Sequence, residues 1–468
     1  MKANPEINDR RVALASSSSY SDEAIVDALG RAARHLNWDD RERGPFGNII
    51  RRDARVLIKP NFVLHENRAS FGLAPLVTHS SLIRAATRAA LQAGAGEVLI
   101  GDAPLQGCDF DHLLSASRLD GWATELQARE PRFKGIRDFR RTVCEFQNGI
   151  RVAAENRQPE SRFVLFDLAG DSLLEPVTDN RAAFRVTCYD PRLLARTHGP
   201  GRHQYLVARE VIAADVIINL PKLKTHKKAG VTCALKNLIG INGNKEYLPH
   251  HRVGGAEAGG DCYSGGSLIK RAIEFVADQQ NLAENLTVAR AWRGLSIPLY
   301  QALRLTGEPP DTEGAWSGND TIWRTCLDLN RILLYGRADA RLTQRVQRRV
   351  IHIADSVIAG QGDGPLAPEP LELGALLAAN NAAAMDYVGA CLLGYDPARI
   401  PLVGRAFGLA DWPLATFAAS DIRLAGDWGA GRIDDVLCSK RLPAVTHPVG
   451  WRDASRAAGS VAPAVEQL

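Results

Sequence analysis

No two cysteines of this chain stand in a C-x-x-C pair. Cys108, Cys144, Cys188, Cys233, Cys262, Cys326, Cys391 and Cys438 are dispersed over 468 residues, which argues against a local zinc knuckle or iron–sulfur loop. Reduced, separate thiols are the default, and no iron–sulfur cluster is expected from this chain. Long apolar runs are lacking too: no segment approaches the length of a membrane span. The opening Met1-Lys2-Ala3-Asn4-Pro5-Glu6 has no apolar core of the kind a secretory signal needs, so the expected location is cytoplasmic. Charge of one sign is scarce, since 57 Lys and Arg against 53 Asp and Glu leave a net +4. With no aromatic-rich stacking motif either, nucleic acid is not an expected partner. No Ser/Gly-rich or Pro-rich linker and no fixed-period repeat divides the chain, and low complexity is confined to Ser16–Ser19.

What is present reads as alternating strands and helices. Val12–Ala15 is a first strand, followed by a helix from Ser21 through Ile25, Val26, Leu29 and Ala32-Ala33. Arg55–Asn61 is a buried strand stopped by Pro60, and Thr78 is placed to cap a helix through Leu82, Ile83, Ala86 and Ala90 to Gly94. Glu97–Asp102 is a third strand. Strand, helix and strand in this span predict a right-handed crossover and parallel pairing. Ala214–Leu220 is apolar and nearly continuous, as in a strand covered on both faces. In the carboxyl half, Asn319-Asp320 starts a helix, Val350–Asp355 is a strand, Gly360–Pro365 reads as a tight loop, and Ala382–Leu393 is a core helix.

The fold class expected is α/β, a mainly parallel sheet with helices on both faces and one or two long insertions. The core is expected in pieces: 1–104, 205–277 with a lysine-rich site loop, and 319–440. Residues 105–204 read as an insertion or subdomain, 278–318 as a second insertion containing a short helix over Ile297–Leu305, and 441–468 as a tail. The insertions are candidates for a lid or a partner surface.

The most informative stretch is Asn219-Leu220-Pro221-Lys222-Leu223-Lys224-Thr225-His226 with Ala234-Leu235-Lys236-Asn237-Leu238-Ile239-Gly240. Between Lys222 and Lys245 there are six lysines, one histidine and no carboxylate. Ligands of open α/β sheets sit outside the carboxyl ends of strands, which is where Lys222 and Lys224 fall. Lys227 and Lys228 fit a solvated face equally well. Lys236 is different, because it interrupts an apolar helical stretch and so requires a partner.

These segments, with Val56-Leu57-Ile58-Lys59-Pro60-Asn61, Gly101-Asp102, Gly318-Asn319-Asp320-Thr321-Ile322-Trp323-Arg324-Thr325 and Gly362-Asp363-Gly364-Pro365, resemble the domain of unknown function 362 family in order and spacing from about Val56 to Pro401. The resemblance implies no general reaction. Many members carry a ferredoxin-like cysteine cluster, and this chain departs from them in having none. The Leu105–Gln204 insertion also looks longer than usual for the family.

Lys59, Asn61, Asp102, Lys222, Lys224, Asp355 and Asp363 fall at or just past strand ends, so one parallel sheet is expected to gather them in a single hollow. Lysines with aspartates suit an anionic substrate held by ammonium groups while a carboxylate or a metal does proton or Lewis-acid work. The reading assigns Lys236, His226, Asp355 and Asp363 to catalysis and Lys59, Asn61, Asp102, Lys222, Lys224 and Asn237 to substrate binding. His226, His250 and His251 are candidate ligands for a divalent metal, with Asp320, Asp355 and Asp363 as an alternative set for magnesium or manganese. Asp320, Arg324 and Asp328, four apart on one helix, are read first as intrahelical ion pairs. The function expected is an enzyme acting on a small anionic metabolite, its reaction open among hydrolysis, isomerisation and group transfer. The alternative is an accessory or electron-transfer partner that binds an acidic protein or cofactor without catalysis. Oligomeric state is not legible.

Overall fold

The structure is a computed structural model that describes residues 4–309 and 311–455. In chain order, Arg11–Ser16 forms β1, Arg55–Pro60 β2, Glu97–Asp102 β3, Phe133–Asp138 β4, Val216–Leu220 β5, Lys222–His226 β6, Gly230–Thr232 β7, Arg349–Asp363 β8, Ala367–Ala379 β9, Arg423–Gly426 β10 and Gly431–Arg432 β11. These make one sheet in the order β11-β10-β1-β9-β8-β5-β2-β3-β4, with β6 pairing with β8 and β7. From β8 through β5, β2 and β3 to β4 every pairing is parallel. The long β8–β9 hairpin inserts β9 antiparallel between β8 and β1.

Both faces of the sheet are covered, because side chains on successive strand residues alternate sides. Leu57 of β2 joins one core with Ile217, Leu327 and Met385, while its neighbours Val56 and Ile58 join the other with Ile218, Ile83 and Leu29. Helices Asp22–His35 (α1) and Ser80–Gln92 (α2) cover the second face, and Ala234–Asn237 (α3), Ile322–Tyr335 (α6) and Ala382–Leu392 (α7) cover the first. Leu268–Leu282 (α4) and Leu286–Thr306 (α5) pack together as a helical hairpin.

Several sequence expectations are corrected. Residues Gly360–Asp363 belong to β8, and the chain reverses only after them. The 105–204 stretch is not wholly an insertion, since Phe133–Asp138 extends the main sheet beside β3. The short helix expected at Ile297–Leu305 is the end of a 21-residue helix. Residues 456–468 of the predicted tail and Pro310 lie outside the described residues. No helix among the described residues is long and apolar enough to cross a membrane.

Candidate functional site

Register brings the strand ends together. Asn219 of β5 stands opposite Lys59 of β2, and Ile58 opposite Ile100 of β3, so Lys59, Asp102 and Asn219 reach one edge of the sheet. Outside that edge opens a cleft of about 1470 Å³. Asn61, Asp102, Lys224, His226, Lys236 and Asn237 line it, with His250 and Asp363 further along the wall.

The other predicted residues are placed elsewhere. Lys59 is fully buried behind the wall, 2.7 Å from Asp102, and its ammonium also donates to Pro60 O at 2.8 Å and Asn237 Oδ1 at 3.2 Å. Burial pushes both members of the pair toward neutrality, and their mutual attraction opposes it. Lys222 and Asp355 are both fully buried, 2.6 Å apart, and do not line the cleft. Asp355 also accepts from Tyr20 Oη at 2.6 Å and His79 N at 2.8 Å. These two pairs cross-link strand ends, and each ammonium already has its counter-charge.

The metal sets are not assembled. His226 and His250 face the cleft but His251 faces a separate small hollow with Cys262 and Lys270. Asp320, Asp355 and Asp363 each pair with a different cation, Arg324, Lys222 and Lys227 respectively. Among the described residues no group of three or more His, Cys, Asp or Glu is placed to hold a metal. The helical ion-pair reading holds for Asp320 and Arg324 at 3.0 Å. Asp328 is buried, accepts from Ser172 and Tyr205, and has its intrahelical ion pair with Arg331, at 3.6 Å, rather than with Arg324.

An amide relay fixes the cleft wall. Lys59 can only donate, so Asn237 turns its oxygen toward it and also accepts there from Asn61 Nδ2 at 2.9 Å. Asn237 Nδ2 then donates to Asn219 Oδ1 at 2.7 Å, and Asn219 Nδ2 to Ala234 O at 3.0 Å. Asn237 is thus a positioning residue that ties α3 to β2 and β5. Gly240 allows the close approach, since a Cβ there would lie 2.0 Å from Asp102 Oδ1 and 2.8 Å from Lys59 Nζ.

Lys236 has no hydrogen-bond or ion-pair partner among the described residues, though only 8 % of it is exposed. Burial pulls its pKa down, Cys326 opposes this, and Lys228 acts in the same direction as burial. Lys224, fully buried, donates to the carbonyl of Leu76 and has no carboxylate. Burial and then Lys222 and Lys236 hold it well below the usual lysine range. Lys245 is pushed down to about 8 by burial, with Lys236 and Lys228 adding repulsion. Lys228, which also suited a solvated face, and Lys245, which the sequence reading left without a role, are therefore part of the same positive field. Their signal was the carboxylate-free run itself.

Two histidines sit in this field with opposite polarity. Nδ1 of His226 accepts from the backbone N–H of Lys228 at 3.0 Å and of Ala229 at 3.2 Å, so its proton resides on Nε2. Nδ1 of His250 lies 2.6 Å from Leu248 O and must donate to it, which leaves Nε2 as an acceptor. Burial and the surrounding lysines hold both well below the usual imidazole range, so both are neutral near pH 7. Asp363, at the rim, forms a half-exposed pair with Lys227 at 2.9 Å. Arg293 from α5 also reaches the cleft wall, a contribution that nothing in its local sequence signals.

A thylakoid-associated protein of Synechocystis sp. is 22 % identical over 445 residues, covering 94 % of this chain and 90 % of that protein. A protein of Thermotoga maritima has a TM-score of 0.32 at 11 % identity, covering 75 % of this chain and 54 % of its own. The lactate racemase apoprotein of Thermoanaerobacterium thermosaccharolyticum has a TM-score of 0.33 at 10 % identity, covering 84 % and 59 %. This chain thus spans between 54 and 59 % of the length of those two solved chains, and the fold rests on its own strand order. Residues 181–391, which include the lysine run, His226, His250 and Asp363, match the family model described as Domain of unknown function (DUF362).

Proposed function

We propose that this protein is an enzyme acting on a small anionic metabolite, held over the lysines of the cleft while His226 and His250 exchange protons with it. The observation that carries the reading is Lys236, an ammonium facing the cleft with neither carboxylate nor hydrogen-bond acceptor among the described residues. A buried charge without a partner is costly, and an anionic ligand removes that cost by supplying the counter-charge. Lys224, Lys228 and Lys245 strengthen the same field, and an anion among them also favours their protonated forms.

The histidines support a proton-transfer step within the open list of isomerisation, hydrolysis and group transfer. His226 offers Nε2–H as a donor and His250 offers Nε2 as a base, and burial, with the lysines adding to it, keeps both neutral in the absence of ligand. A substrate whose carbanion or oxyanion develops over the ammonium groups is stabilised as charge builds.

The test is a thermal-shift screen of carboxylate and phosphate metabolites, followed by incubation of each hit in D₂O and NMR detection of carbon-bound deuterium. Lys236→Met is expected to lose the shift. His250→Gln is expected to keep it while slowing exchange by about 10²–10⁴-fold, the usual worth of a general base. Hits that shift the Lys236→Met variant as they shift the native protein would refute the anion site. Exchange unaltered in His250→Gln would refute the base assignment.

A further inference from the structure

The α4–α5 hairpin carries a surface that the cleft reading does not use. Three faces run along α5 at helical spacing. Ala289, Ser296 and Leu303 form the buried seam. Val288, Trp292, Leu295 and Leu299 form an apolar flank, on which Val288 is 43 % and Leu295 53 % exposed. Arg290, Arg293 and Arg304, at i, i+3 and i+14, form a basic flank with exposed Ile297 between them. The apolar flank continues onto α4, where Phe275, 57 % exposed, meets Trp292 edge to face at 6.0 Å, and Leu268, one further two-turn step back, is 78 % exposed.

The charge on this hairpin is one-sided. Arg271, Arg290, Arg293 and Arg304 are exposed and have no carboxylate partner among the described residues. The hairpin's acids are occupied or few: Asp278 pairs with Arg185 at 2.9 Å, Glu274 accepts from Gly254 N at 2.8 Å, and Glu284 is the exposed one. Lys270 is buried against Asp311.

We infer that the α4–α5 hairpin is a peripheral docking surface for an anionic lipid bilayer, lying in the plane of the headgroups. Exposed Ala291, Pro298 and Leu305 carry the apolar surface round the outer side of the helix from Leu295 to Ile297, beside the guanidinium groups, and such a surface matches the boundary between acyl chains and phosphates, where the apolar side chains sink and the arginines stay at phosphate level. The helix spans about 30 Å at 1.5 Å per residue and is not apolar enough to cross a membrane, so it lies on the surface. Because Arg293 also lines the cleft, docking turns the cleft wall toward the bilayer. The inference rests on the hairpin alone and stands whether or not the cleft is catalytic.

The test is co-sedimentation of the full chain with vesicles of phosphatidylcholine alone and of phosphatidylcholine mixed with phosphatidylglycerol. Binding at least roughly tenfold stronger to the anionic vesicles is expected. It should fall in Arg290→Glu/Arg304→Glu and, separately, in Leu268→Ser/Leu295→Ser, all four positions being exposed enough to leave the fold intact. Equal binding to both vesicles, binding to neither, or anionic binding that survives both double variants overturns the inference. A concentration-dependent dimer that Leu268→Ser/Leu295→Ser dissolves, with no vesicle binding, would assign the surface to a second copy instead.

Discussion

A lysine kept for structure and a lysine kept for a ligand respond oppositely to removal, and Lys236 separates the two readings. Burial disfavours its charged form, Cys326 acts in the opposite direction, and its side chain lines the cleft, so Lys236→Met, close in length and apolar, is expected to raise stability modestly, by up to about 1 kcal/mol, below the ~1–3 kcal/mol of a fully orphaned buried group. Urea denaturation measures this directly. A loss of stability would mean that the ammonium has a structural role. Lys245 supplies the pH dependence. Its folded-state pKa is lowered to about 8, and an anion binds the protonated form more tightly. Anion affinity is therefore full below pH 8 and declines as pH rises through it, with up to one proton taken up per ligand bound. Calorimetry of inorganic phosphate in buffers of different ionisation enthalpy reads that uptake. Constant affinity from pH 7 to 9 would remove Lys245 from the site.

Within the elements, β6 is buried at all five positions, Lys222 through His226, and its placement depends on small neighbours. At Gly360 of β8 a Cβ would come within 2.7 Å of Lys224 Cβ, and at Gly240 it would overlap the Lys59–Asp102 pair. Gly240→Ala is expected to destabilise the protein by several kcal/mol, in the range of a broken buried pair, with chemical denaturation as the measurement. A cost near that of an ordinary surface change would show that the pair has room to move.

These glycines also explain where sequence reading stopped. Strand cores such as Val56–Ile58 and Val216–Leu220 were legible from apolar continuity. Gly360-Gln361-Gly362-Asp363 has the composition of a turn, but at Gly360 the missing side chain makes room for Lys224 within a strand. The α2 start was legible to within two residues. Its cap is His79, because the Thr78 hydroxyl is taken by Leu220 O and Asn61 N.

For the molecule as a whole, Asn61, Asp102, Lys224 and Asp363 of the expected strand-end set line one cleft, whereas Lys59, Lys222 and Asp355 do not. The reason is pairing across strands. Register sets Lys222 opposite Asp355 and aligns β2 with β3 so that Lys59 meets Asp102, and neither partnership is visible in a linear sequence. A carboxylate-free run does survive folding as a positive field, because no carboxylate among the described residues pairs with Lys236. In the sequence His226 and His250 are distinguished by residue type alone. Their complementary tautomers come from backbone groups at Lys228, Ala229 and Leu248, which only the folded chain defines.

The central claim is that the cleft is an anion site built around Lys236. Calorimetric titration of inorganic phosphate, pyrophosphate and oxalate into the native protein, Lys236→Met and Lys227→Met tests it most directly, Lys227 being half-exposed and already paired with Asp363. At least one anion should bind native protein and Lys227→Met alike and bind Lys236→Met about tenfold or more weakly, a loss of about 1.4 kcal/mol. Equal affinity in native protein and Lys236→Met, or no binding by any of the three anions, would contradict it.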